Sequence, residues 1–353
     1  MSLTTGAAAP HAFASDANLV CGAGGSRAIL GGTGAILASY LAGIERWQTA
    51  GGASGGSVPT VLLAGGLHPT QIARLIIETD FSSLLTRHAS PIRILLTYFL
   101  KDNYYRIIRP ERGLFSSERV GEYVEKYVPE WPEGYWTVAA WGSSQILFNS
   151  EGIFQYSPSR RCRRISCTPA PVGIAVRASC AIPGVFDAIP YKDMLLCDGA
   201  LSIDGRTPVG AIKRHRGVAA ERIIAVDVGD QDVEKSGFSQ WLWDFLWRLV
   251  CGRHCPDEGA TPHDSEGVIL VRPPDMQIRY LEFKLAPDQK WHTLMCGFRA
   301  AVNALDAAGI LKDTRLTAAR DILKSFDDIA QTSSAPGELA ARTEALLSTY
   351  GLY

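Results

Sequence analysis

Trp47-Gln-Thr-Ala-Gly-Gly-Ala-Ser54-Gly-Gly56 is the stretch on which the reading of this chain turns. Trp47–Ala50 reads as a short strand, Gly51–Gly56 as a glycine turn, and the apolar residues through Ala64 as a helix that Gly65-Gly66 ends. Within the turn, Gly52–Gly56 fits G-x-S-x-G. Where a strand passes sharply into a helix, that pattern places a serine hydroxyl on a strained turn, with glycines letting neighbouring backbone approach without Cβ clashes. The amide after the serine, here Gly55, then points at a developing oxyanion, and the helix N-terminus adds positive potential. A plain tight turn has the same composition, so the rest of the chain has to decide.

Thirty residues before Ser54 lies Gly22-Ala-Gly-Gly-Ser-Arg27, between the apolar strand Leu19–Cys21 and a helix over about Thr33–Ala42. Two successive strand–loop–helix units put both loops at the C-terminal edge of neighbouring parallel strands. A glycine loop there can offer amides to an oxyanion, and Arg27 either holds that loop in shape or meets an anionic substrate group. A dinucleotide-binding loop fits poorly, because Arg27 takes the third glycine position of G-x-G-x-x-G and Glu45, the acid about 20 residues on, precedes a strand. An α/β-hydrolase elbow follows several strands, whereas Ser54 follows only two.

Outward from this core the rhythm stays that of βαβ units. Pro69 starts a helix with Ile72, Leu75 and Ile76 on one face. Further strands are expected at Gln145–Phe148, Met194–Cys197, Ile223–Val228 and Gly267–Val271, and helices near 116–127, 172–179, 208–214, 293–308 and 314–330. The expected organisation is a loose arm over residues 1–17, one α/β domain over 18–330 with an α-rich C-terminal end, and a linker with a short helix over 331–353.

The chain has 353 residues, 46% hydrophobic and 20% charged, enough for a sizeable core. With 35 basic and 36 acidic side chains the net charge is −1, which argues against nucleic acid as a partner. The first twenty residues lack a secretory signal, and no apolar run approaches the roughly 18 residues that span a bilayer, so a soluble cytoplasmic protein is expected. Most of the eight cysteines sit in apolar context and read as buried thiols. Cys251-Gly-Arg-His254-Cys255, with His263 nearby, lacks the tight pairings of a zinc site. No metal or cofactor is expected.

A serine hydroxyl is a weak nucleophile until a base takes its proton. The seven histidines, at 11, 68, 88, 215, 254, 263 and 292, stand in no motif built for catalysis, although a triad histidine among them is the alternative. Asp198 in Met194-Leu-Leu-Cys-Asp-Gly-Ala200 is the better candidate, an acid at the end of an apolar strand and at the same sheet edge as Ser54. An Asx-turn closing that strand is the plainer reading of Asp-Gly. Asp204-Gly205 repeats the dipeptide after a weaker strand and reads as a turn.

At this point the chain resembles the patatin-like phospholipase family. Leu19-Val-Cys-Gly-Ala-Gly-Gly-Ser-Arg27 is similar to its glycine-rich oxyanion loop, Gly52–Gly56 to its nucleophile motif, Ala178-Ser-Cys-Ala-Ile-Pro-Gly-Val-Phe186 to its Ala-Ser-x-Ala-x-Pro-x-x-Phe segment, and Cys197-Asp-Gly-Ala200 to its D-G-G/A motif. The resemblance spans roughly residues 19–230. It implies a three-layer α/β/α fold with a mostly parallel central sheet, a dyad of Ser54 and Asp198, and an oxyanion hole drawn from Gly24, Gly25, Ser26 and Gly55. It also implies a lipid acyl hydrolase acting on phospholipid or lysophospholipid. Ala23 and Ala28 replace usual glycines, and Asp204-Gly-Arg-Thr-Pro208 stands where an asparagine-proline element is common.

Two apolar stretches, Pro91–Leu100 and the tryptophan-rich Trp241–Val250, read either as core-packed helices or as peripheral membrane contacts. The competing class is a lipid- or partner-binding protein without turnover; it would have no use for serine, acid and glycine loops together.

Overall fold

The computed structural model describes residues 16–87, 113–229, 265–274 and 276–353. Pro91–Leu100, Trp241–Val250, the Cys251–Cys255 cluster with His263, residues 1–15 of the arm, and His11 and His88 lie outside them.

β1 (Asn18–Cys21) is buried along its whole length, and α1 (Gly25–Leu41) follows three residues later. β2 (Thr49–Ala53) leads through a 3₁₀ turn, Ser54–Gly56, into α2 (Ser57–Ala64). Then come α3 (Pro69–Glu78), a small antiparallel pair β3 (Thr86–Arg87) and β4 (Phe115–Ser116), and α4 (Glu118–Tyr127). An antiparallel meander follows, of β5 (Tyr135–Trp141), β6 (Ser144–Asn149), β7 (Gly152–Tyr156) and β8 (Cys162–Ser166). After α5 (Val172–Ser179), a ribbon of β9 (Ile189–Tyr191) and β10 (Met194–Leu196) precedes α6 (Val209–Arg216), β11 (Ile223–Val226) and β12 (Ile269–Val271). The C-terminal end is helical: α7 (Pro287–Ala307), α8 (Asp313–Thr332) and α9 (Glu338–Thr349).

Among the described residues the central sheet has eight strands in the order β12-β11-β1-β2-β5-β6-β7-β8. From β12 to β5 they run parallel and the last three add antiparallel, so the sheet is mostly parallel. Helices cover both faces. Leu19, Cys21, Ile224 and Val226 face α1 and the C-terminal helices, while Val20, Val138, Ile223 and Ala225 face α6. This is the expected three-layer α/β/α architecture. Ala17 is already fully buried, and Ala340, Leu347 and Leu352 join the same core as β1.

Several boundaries differ from the sequence reading, for packing reasons. Helix α1 starts eight residues earlier than Thr33, because it is buried almost all round and shows no polar stripe. Its glycines make room for α7: a Cβ on Gly34 would lie 2.0 Å from Leu294 O, and one on Gly297 would lie 2.1 Å from Gly31 O. Strand β2 runs on through Gly51 and Gly52 to Ala53, since Gly51 lies against Trp136 of β5. The meander strands β5, β7 and β8 escaped the pattern altogether. Of the described cysteines only Cys21 is fully buried, while Cys162 on edge strand β8 and Cys167 beyond it are exposed. No helix among the described residues is long and apolar enough to cross a membrane.

Candidate active site

The register of the sheet sets the site. β1 pairs in parallel with β2, Cys21 opposite Gly52, so the loop after Cys21 and the turn after Ala53 stand side by side at the carboxyl edge. Ala53 is extended, and Ser54 then swings to φ +52°. A side-chain-bearing residue in that left-handed region is strained by about 1–3 kcal/mol and persists only where its surroundings over-determine it. They do here. The Ser54 amide donates to Ser179 Oγ at 2.9 Å, Ser57 Oγ donates to the Ser54 carbonyl at 2.5 Å, and Thr137 Oγ1 donates to the Gly52 carbonyl at 2.9 Å. The turn is also pressed against the neighbouring loop: a Cβ on Gly55 would lie 2.2 Å from Gly25 O, and one on Gly56 would lie 2.4 Å from Gly22 O. Ser54 is buried, 3% exposed.

Asp198 reaches this edge by a different route from the one expected. Strand β10 is not part of the central sheet; it pairs with β9, and Cys197 alone docks onto β5, exchanging both backbone hydrogen bonds with Ala140 at 2.8 and 2.9 Å. Next, a Cβ on Gly199 would lie 3.2 Å from Ala53 Cβ, which sets Asp198-Gly199 against the residue preceding Ser54. The Asx-turn is present too: Asp198 Oδ1 accepts from the Ala200 amide at 2.9 Å. Oδ2 is buried and, among the described residues, completes no hydrogen bond of good geometry. Burial pushes the Asp198 carboxyl up to about 7, opposed by hydrogen bonding from the Ser54 side chain and from the Ala200 amide. A carboxylate and a serine hydroxyl are thus adjacent, the acid tuned near neutrality.

The oxyanion candidates separate by what their amides do. Ala23 N–H is taken by Arg206 O at 2.8 Å and Gly22 N–H by Val226 O at 2.8 Å. Ser26, expected in the hole, is instead an anchor: its amide donates to Tyr280 O at 3.2 Å and its hydroxyl lies 3.3 Å from Arg279 O. Gly24, Gly25 and Gly55 make no backbone hydrogen bond through their amides among the described residues. Arg27 takes the loop-holding alternative. It is buried, donates to Ile278 O and to Met276 O at 3.1 Å, and stacks on the Tyr280 ring at 4.8 Å.

Beside Ser54 a pocket of ≈ 660 Å³, counting the part open to solvent, is walled by Ile29 of α1, Val58 of α2, Ile76 of α3, Val120 and Tyr123 of α4, and Phe81, Leu84, Leu85, Ile182, Phe186 and Phe283 from connecting segments. Gly25 and Gly55 lie on its wall with Ser54. Its lining is almost wholly apolar.

The model of the patatin-like phospholipase family matches residues 19–209, a span holding both glycine loops, Ser54 and Asp198. The chain belongs to this family. Membership makes it a lipid ester hydrolase at the level of the family. Among solved structures it is similar to VipD from Legionella pneumophila (13% identity, TM-score 0.46, covering 94% of this chain and 79% of that one). It is also similar to the type III effector protein ExoU (13% identity, TM-score 0.35, covering 96% and 69%). No curated protein sequence matches it.

Other residues singled out in the sequence lie elsewhere. His68 caps α3 through Thr70; His215 lies between Asn149 and Tyr156, both at 2.8 Å; His292 sits near Cys296 and Phe326. None of these lines the pocket. Asp204 is more than a turn residue: it is buried and takes hydrogen bonds from Arg214 of α6 and from Gln145 at 2.8 Å. Among the described residues no cluster of three His, Cys, Asp or Glu is arranged to hold a metal. The sequence reading missed Ser179 as a tether of Ser54, although the segment containing it was singled out, and gave no sign of Tyr280.

Proposed function

We propose that this chain is a lipid acyl hydrolase of the phospholipase A or lysophospholipase type, with Ser54 as nucleophile and Asp198 as base. The observation that carries the reading is a buried carboxyl pushed up to about 7 beside a serine held at a strained strand-to-helix turn. An ordinary aspartate near 3.8 is too weak a base for a hydroxyl, whereas one near neutrality matches the operating pH of general base catalysis.

In the forward step the Ser54 hydroxyl attacks the ester carbonyl and its proton passes to Asp198 Oδ2. The carbonyl oxygen becomes an anion facing the amides of Gly24, Gly25 and Gly55, each such donor contributing on the order of 3 kcal/mol. Collapse expels the alcohol, which carries away the proton held by Asp198. A water then attacks the acyl-serine, Asp198 taking its proton, and the fatty acid leaves as the serine is re-protonated. The apolar pocket suits the acyl chain, and the head group stays toward solvent.

Labelling with a fluorophosphonate, and release of fatty acid from defined phospholipids and lysophospholipids, test this. Wild type should label and turn over; Ser54→Ala should do neither, and Asp198→Asn should lose most of both. Full turnover by Ser54→Ala would refute the assignment.

A further inference from the structure

The family match ends at residue 209, yet the oxyanion loop is fastened from well beyond it. Met276–Ala286 is an irregular segment between β12 and α7, and its backbone carbonyls find partners on the first turn of α1 rather than in a ladder. Arg27 donates to Met276 O and Ile278 O, and Ser26 donates through its amide to Tyr280 O. The approach at Tyr280 is as close as backbone allows. Gly25 has φ +54°, and a Cβ there would lie 1.9 Å from Tyr280 O.

The Tyr280 side chain is gripped from two sides. Its ring lies under the Arg27 guanidinium at 4.8 Å, and its hydroxyl accepts from Arg206 Nη1 at 3.3 Å. Arg206 is itself bound to the loop, its carbonyl accepting the Ala23 amide at 2.8 Å. Tyr280 therefore joins both ends of the loop: the Ala23 end through Arg206, and the Gly25–Arg27 end through its own carbonyl and ring. Between those ends lie the amides of Gly24 and Gly25. Three residues on, Phe283 meets Phe186 edge-to-face at 5.9 Å and lines the pocket.

We infer that Tyr280 is a positioning residue for ester cleavage, acting through Arg27 and Arg206 to aim the Gly24 and Gly25 amides at the oxyanion. This rests on the hydrolase reading above. An aiming role acts on the transition state more than on ground-state acyl binding, because most of the apolar side chains that line the pocket, such as Ile29, Val58, Ile76 and Val120, stand on helices outside the loop.

The test uses the full chain, a soluble ester, an alkyl trifluoromethyl ketone whose serine adduct carries an oxyanion, and the matching free fatty acid. Tyr280→Phe removes only the hydroxyl, Arg206→Gln removes its partner, and Tyr280→Leu also removes the stacked ring. Tyr280→Leu should lower kcat by about tenfold or more, with KM within about twofold, as expected for misplaced donors. Affinity for the ketone should fall by the same factor while fatty-acid binding stays unchanged. Tyr280→Phe and Arg206→Gln should show smaller, matching losses that do not add in the double variant. Unchanged kcat in Tyr280→Leu, or equal losses of ketone and fatty-acid binding, would overturn the inference while leaving the hydrolase reading intact. Absence of turnover by the wild type would overturn both.

Discussion

The backbone amide of Ser54 donates a 2.9 Å hydrogen bond to Oγ of Ser179, both groups buried, across 125 residues of chain. Ser179 ends α5, whose next residues bring the Ala181 carbonyl to the Asp198 amide at 2.9 Å. One short segment thus holds both Ser54 and Asp198 by their backbone amides. Removing the Ser179 hydroxyl orphans a buried N–H, which costs about 1–3 kcal/mol. Ser179→Ala should remain folded with a lowered Tm and lose about tenfold or more in kcat, while Ser179→Thr should recover part of the rate. Steady-state kinetics beside thermal melts read both.

Activity should follow the ionisation of Asp198. Only the carboxylate accepts the Ser54 proton, and burial places its titration at about 7. Below that pH kcat/KM should fall about tenfold per unit; above it a plateau should follow. A pH–rate profile on a soluble ester measures this, and a midpoint near 4 would contradict the buried-base account.

The same burial makes Asp198 a liability for stability. Its folded pKa lies above the ordinary 3.8, so between about pH 4 and 7 the folded state holds a proton that the unfolded chain has released. Stability from this group is present below the unfolded value and is lost as pH rises through the folded one. Asp198→Asn removes the effect. The stability difference between variant and wild type should grow in the variant's favour from about pH 4 to 7, then level off, reaching on the order of 4 kcal/mol. Paired melts from acid to mildly alkaline pH would show it.

At Gly55 a methyl group would collide with the Gly25 carbonyl at 2.2 Å, driving the two loops apart. Gly55→Ala should lower kcat by about a hundredfold, because it displaces the donors rather than the substrate. At Gly66, where a Cβ would meet nothing within 4 Å, the same change should leave kcat alone and lower only Tm, through the strain of its positive φ.

The pocket predicts chain-length selection. Leu84 is half-buried on its wall, and Leu84→Trp adds volume there. Long-chain esters should lose about tenfold or more in kcat/KM, and butyrate esters should change little. A series of ester chain lengths reads the difference.

Local chemistry in the chain determined a good deal. A strand, a glycine turn around Ser54 and an apolar helix announce an elbow, because strand-to-helix reversal at φ +52° needs glycines on either side. Cys197-Asp-Gly likewise marks an acid at a strand end. Both are contacts within a few residues, where pattern and backbone sterics coincide. What the pattern could not carry is every fact that depends on residues remote in sequence. The all-round burial of α1 erased its polar stripe, and β10 pairs with β9 in a hairpin, joined to the central sheet through the bridge from Cys197 to Ala140. Tertiary structure alone decided that Ser179 holds Ser54, that Ser26 is an anchor, and that Arg27 faces inward onto Tyr280. The pKa of Asp198 belongs with them, since desolvation is a property of everything packed around a carboxyl and of nothing beside it in the chain.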